Sequence, residues 1–432
     1  MVSIKLFAGV FTFVLASSLP AQTFTFSTPK TVISDAGAFM LETDINNDGF
    51  ADIVVPDFAH IQYLAYLGDG KGNFSTSIPV NYFTLSGFAP PPTFLDVTGD
   101  GYPDQVYAYG GLLNYPNQQE PEYPGAFALA QGNGKGNFAN EFDSYVPQNT
   151  DGSTTGSAIA MADFNGDGLS DIALLTGGDG VPLADGGSLP TITMFINHGG
   201  GDLVPTHTYT FPASSNGDVN LVTGDFNGDG KQDVAWTRIF VNPPDNPPSG
   251  PFPIYYKYGN GDGTLGATQI YWTDTAPISL ASGDLNDDGK TDLVVGLYPK
   301  LTSTGLAEPG STFRIATLRA KQAGGFYWLT AVDSTVSTGG LQLIDLNGDG
   351  ILDAYYYGIY MRAGLGGGYF GPAQTITGPP FSLATLKEEG ATPSSNLFFF
   401  APLIKGGLPN FFYVASEDGN YVIKMLTNTS KK

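Results

Sequence analysis

Six nine-residue segments of this chain set an acid, amide or hydroxyl at positions one, three, five and nine, and a glycine at position six. Their oxygen-bearing residues are Asp44, Asn46, Asp48 and Asp52; Asp96, Thr98, Asp100 and Asp104; and Asp163, Asn165, Asp167 and Asp171. The remaining three sets are Asp225, Asn227, Asp229 and Asp233; Asp284, Asn286, Asp288 and Asp292; and Asp345, Asn347, Asp349 and Asp353. Hard oxygen donors crowded into one short turn suit a hard cation. Calcium takes about six to eight oxygens at a flexible distance. Position seven would add its backbone carbonyl, and water would complete the shell. Gly49, Gly101, Gly168, Gly230, Gly289 and Gly350 permit the left-handed bend that wraps such a chain around an ion. About six Ca²⁺ sites are therefore expected, the second being the weakest because Thr98 offers only a hydroxyl.

An EF-hand would need a Glu at position twelve and helices on either side. Position twelve is Val55, Tyr107, Leu174, Trp236, Val295 or Tyr356, each in a β-like run. Ordinary turns also favour Asp, Asn and Gly, but six copies in register, each with three Asp, say more than one turn would. Their eighteen carboxylates would repel one another without cations. Six divalent ions would add +12 to the formal charge of −23, leaving −11. An acidic balance of 41 Asp and Glu against 18 Lys and Arg also excludes nucleic acid as a partner, since phosphate contact needs clustered basic residues.

The loops recur after 52, 67, 62, 59 and 61 residues. A seventh, decayed copy is read in Phe400–Asn410, aligned without a gap on Phe94–Asp104, with Gly407 as its turn glycine. Short apolar runs flank each loop, such as Ala158–Ala162 and Ile172–Leu175, and a third strand then ends in a Gly-rich turn such as Gly132–Phe138. With 58 Gly and 31 Pro, and no long helical period, the class is all-β. Four strands per unit make one blade. The fold expected is a seven-bladed β-propeller with four-stranded blades, six of them with calcium loops. The end of the chain, Tyr421–Asn428, resembles the third strand Thr191–Asn197, and Phe24–Ile33 resembles a lone fourth strand. The N-terminal strand would thus complete the last blade and close the ring, where an open stack of repeats would leave edges exposed.

Residues 1–21 have Lys5, an apolar stretch from Leu6 to Ala16 and a small residue at Ala21, the order of a secretory signal peptide. The stretch is shorter than the roughly 20 residues a membrane span needs. The propeller is then 22–432, secreted or periplasmic, with no membrane span in the mature chain and a monomer as the expected assembly. No Cys is available for disulfides or lipid attachment.

The loops and the Gly-rich turns resemble FG-GAP/VCBS repeats, the units of integrin α-subunit propellers and of many secreted bacterial proteins. The resemblance covers nearly all of the mature chain and is strongest in the calcium half. It implies a seven-bladed propeller with calcium between the first two strands of a blade. It implies no single activity, because propellers host many.

Long second-to-third-strand insertions, Gly110–Gly125, Gly177–Pro190, Phe240–Pro253 and Tyr298–Ser311, fall in four successive blades. They would gather on the face opposite the calcium loops, where Tyr109, Tyr115, Tyr123 and Tyr298 suit amphipathic contacts. His60, His198 and His207 show no metal-ligand spacing, and no nucleophile motif is present. Glu388-Glu389 is one acidic pair outside the loops. Three functions stay open: a binding or adhesion module for an extracellular glycan or protein, a carbohydrate-active enzyme on a propeller, and a structural surface component.

Overall fold

The computed structural model describes residues 23–34, 36, 40–57, 60, 62–81, 93–109, 126–145, 155–177, 191–211, 219–238, 251–302, 307–357, 359–376, 398–404, 406–417 and 420–430. The signal-peptide segment, Tyr115, Tyr123 and Glu388-Glu389 lie outside them, as do most of the three insertions in blades two to four.

The described residues form twenty-eight strands in seven sheets of four. Every pairing is antiparallel, and each sheet runs in chain order except the last. This is the seven-bladed, all-β propeller that the repeat predicts. The last sheet is made of Phe398–Pro402, Pro409–Glu417, Asn420–Leu426 and the N-terminal strand Lys30–Ile33. Lys30 stands opposite Met425 and Ile33 opposite Ile423, while Phe26 forms a bridge with Asn428. The expected fourth strand is therefore in place.

Composition follows position in the blade. Second and third strands lie between neighbouring blades, so apolar residues face both ways. Asp292–Leu297 is buried at every residue, as is Thr191–Asn197. The outer strand Leu203–Thr210 is largely exposed and correspondingly polar.

The core is not one mass but seven clusters, each shared by two neighbours. Phe164, Trp236 and Leu265 join blades three and four, and Tyr356, Ile315 and Phe370 join five and six. One of the seven joins the last blade to the first, with Phe412, Val414 and Ile423 against Ile53, Val55 and Phe74. Each seam thus excludes water from large side chains on both sides, the dominant favourable term in folding.

The decayed seventh unit takes the register expected of it. Ala401 pairs with Asn410 where Leu95 pairs with Asp104, so the gap-free alignment holds. The turn itself differs. The left-handed residue is Gly406, with φ of 79°, and not Gly407, because a tight turn closes from the Gly407 N–H to the Ile404 carbonyl.

Deleting Phe24–Ile33 should uncover the edge of Asn420–Leu426 and take Val32 and Ile33 out of the last seam. A lower melting midpoint by circular dichroism and aggregation on gel filtration are expected, while an unchanged melt would contradict the role given to this strand.

Candidate metal loops

Each loop joins the first two strands of its blade, and its conformation is set by its own polar groups. Asp225 shows the pattern. Its Oδ1 accepts the N–H groups of Gly228 and Asp229 at 2.7 and 3.1 Å, and its Oδ2 accepts that of Gly230 at 2.7 Å. Asp229 Oδ1 then accepts the Lys231 N–H at 3.0 Å. The sixth-position glycines all take positive φ, from 79° to 90°. Position four is also left-handed in every loop, by Asn47, Asp287 or a glycine. That second bend is consistent with the Asn, Asp and Gly found there.

The four predicted ligand positions divide into two levels. Position five is exposed in all loops but the sixth, position one is half-buried in all but the second, and position three is half-buried or buried. Position nine is different. Asp52, Asp104, Asp171, Asp233, Asp292 and Asp353 are each 0% exposed. One oxygen of each accepts the N–H of position two, as from Phe226 to Asp233 at 2.8 Å. The other accepts an N–H at the end of the blade's third strand, as from Gly259 to Asp233 at 2.8 Å. The same pair is made to Asp52 by Ile45 and Gly68, and to Asp353 by Leu346 and Gly364. This carboxylate thus fastens the loop to the Gly-rich turn beside it.

Burial outweighs those hydrogen bonds in its effect on protonation. It pushes the carboxyls of Asp52, Asp233 and Asp353 up to about 7, with the acids at positions one and five adding to the rise. Asp104, Asp171 and Asp292 are raised by the same cause. A carboxylate has about four acceptor sites, so two N–H bonds leave room for a cation. Donors of the right hardness stand above a buried charge that is otherwise costly. By that chemistry the donor set fits calcium. Among the described residues, however, no three acidic or histidine side chains are drawn together as a formed cage. In the second loop the Thr98 hydroxyl is turned inward, 3.4 Å from Asp104 Oδ1.

Comparison with known proteins agrees with this geometry. The FG-GAP-like repeat family matches residues 44–107 and 178–236, and the FG-GAP repeat family matches 276–297. The matched segments are FG-GAP repeats, carried on a seven-bladed β-propeller. No curated protein sequence matches it. Among solved structures it is similar to BBS1N in its crystal structures in complex with ARL6DN, soaked with mercury and with lead. Identity is 10% and 11%, TM-score 0.51 and 0.52, and each alignment covers 95% of this chain and 99% of the other. At that identity the likeness is one of fold.

Position two of each of the six loops is a functional residue that the ligand pattern passes over. Ile45, Val97, Phe164, Phe226, Leu285 and Leu346 are all buried, each in the cluster shared with the following blade. Several of their carbonyls also accept from that next blade. The Phe164 carbonyl takes the Gly263 N–H at 3.0 Å, and the Leu285 carbonyl takes that of Gly368 at 3.2 Å. Asn197 and Asn428, the matching strand ends noticed in sequence, do the same with side chains. Asn197 Nδ2 donates to the Val97 carbonyl and Asn428 Nδ2 to the Leu346 carbonyl, both at 2.6 Å. An unbroken apolar series at position two was the signal available in the sequence.

Of the other residues singled out, His198 is exposed, and His60 lies 2.7 Å from Asp57 on the surface. His207 stacks on Tyr209 at 6.3 Å. Tyr298 packs beside Phe313, with ring centres 5.4 Å apart. Around it the described part of the fifth-blade insertion forms a small hairpin, Leu301 bridging Ala307.

Replacing Asp233 by Ala strands two buried N–H groups. At about 1–3 kcal/mol each, the expected loss is about 2–6 kcal/mol of unfolding free energy in urea, measured in chelator so that metal loss does not contribute. Asp233→Asn keeps an acceptor and should lose less. Equal and negligible losses in both variants would contradict the fastening role.

Proposed function

We propose that this FG-GAP propeller is a secreted, calcium-stabilised binding module, with its ligand, an extracellular glycan or protein, taken on the face opposite the calcium loops. One observation carries the calcium half: a fully buried carboxylate at position nine of all six loops, under a tier of Asp, Asn and Thr oxygens. Positions one, three, five and nine would hold the ion, and the ion would supply positive charge beside a group that burial otherwise disfavours. That neutralisation would act on stability by linkage, because the folded loop binds and the unfolded chain does not.

The binding half is supported by the scaffold. Long second-to-third-strand connections fall in four successive blades, and the described part of the fifth-blade connection holds Tyr298 and an ion pair between Lys300 and Glu308 at 3.4 Å. Long connections on a rigid frame are where recognition residues concentrate. Secretion is supported by the charge and apolar order of residues 1–21.

The test is a broad glycan array probed with the mature protein in calcium and again in chelator. Calcium-dependent retention of defined glycans is expected, without turnover of the bound sugar. Cleavage of a retained glycan would favour the enzymatic alternative. A blank array from folded protein would turn the proposal toward a protein partner.

A further inference from the structure

The fifth loop holds positive charge of its own. Its position-five carboxylate, Asp288, has a cation on each oxygen. Lys290 Nζ lies 3.2 Å from Oδ1, and an Arg319 terminal nitrogen lies 3.5 Å from Oδ2. Asn286 Nδ2 also donates to Oδ2, at 3.1 Å. Lys290 is held there. Only 7% of it is exposed, and its stem runs across the backbone of the fourth loop, where a Cβ on Gly228 would lie 3.0 Å from the lysine Cγ. The Thr291 N–H, one residue on, donates to the Asp225 carbonyl of that same loop at 2.7 Å.

The fourth loop supplies the contrast. Lys231 stands at the same seventh position but is exposed, with its stem along Gly261 of its own blade. No ion pair joins Lys231 to Asp229. A free lysine can swing aside for an incoming ion. A buried one must give up its ion pair and its packing against Gly228 before an ion can enter. A divalent ion at Asp288 would also meet two fixed positive groups at short range, where their repulsion is poorly screened.

We propose that the fifth loop carries its own cations, with Lys290 and Arg319 standing where calcium stands in the other loops, so that the folded protein binds five calcium ions and not six. The proposal rests on the calcium reading above. It reassigns the weakest site from the second loop, with its Thr98, to the fifth.

Calcium bound per chain is counted by isothermal titration and by metal analysis after equilibrium dialysis in excess calcium. Wild-type protein should give five. The double variant Lys290→Met, Arg319→Met should give six, and Lys231→Met should stay at five. Asp100→Asn should give four, which establishes that the second loop is among those filled. Should the double variant fail to fold, the wild-type and Asp100→Asn counts still decide. A wild-type count of six, or five ions retained in Asp100→Asn, would overturn the proposal and leave the calcium reading standing. A count of zero in every chain would remove both.

Discussion

A carboxylate taken wholly out of water and held between two backbone N–H groups is the feature on which each of the six acidic-loop blades is built. The N–H groups come from different places. One belongs to position two of the loop and the other to the end of the third strand, 16 residues away for Asp52 and 28 for Asp104. The carboxylate therefore joins two turns that strand pairing alone would leave independent. Its cost is a buried negative charge, repeated six times. The acids at positions one and five add to that cost, and the proposed cation is what would offset it.

The fastening reaches beyond one blade because position two faces both ways. Its N–H is held by the buried aspartate, its side chain fills the next seam, and its carbonyl accepts from the next blade in several units. A change in the loop is thereby passed to a hydrophobic interface. The seventh blade shows what remains when the acids are lost. Asn410 accepts the Asn428 N–H at 2.9 Å, and Asn428 donates to the carbonyls of Leu346 and Pro409. A neutral amide, Asn410, keeps there the bond to the third strand that a carboxylate makes elsewhere, while Asn428 donates as Asn197 does in the third blade.

Much of this was legible before any coordinates. A fixed ligand pattern with a near-constant period defines blades, and the likeness of Tyr421–Asn428 to Thr191–Asn197 placed the N-terminal strand in the last sheet. What stayed hidden was tertiary. Position nine reads as a ligand like the others until the third strand is brought beside it. Gly406 and Gly407 are indistinguishable in sequence, and only the turn's hydrogen bond selects the left-handed one. Lys231 and Lys290 share a position in the repeat, yet only Lys290 is trapped, by a glycine of the preceding blade.

The central claim is that cations at the loops stabilise the ring. It is tested most directly by the thermal unfolding of the mature protein in excess calcium and in chelator. The account predicts a clearly higher midpoint in calcium, rising further with calcium concentration as linkage requires. Superimposable melts under the two conditions would contradict it and leave the loops as self-sufficient turns.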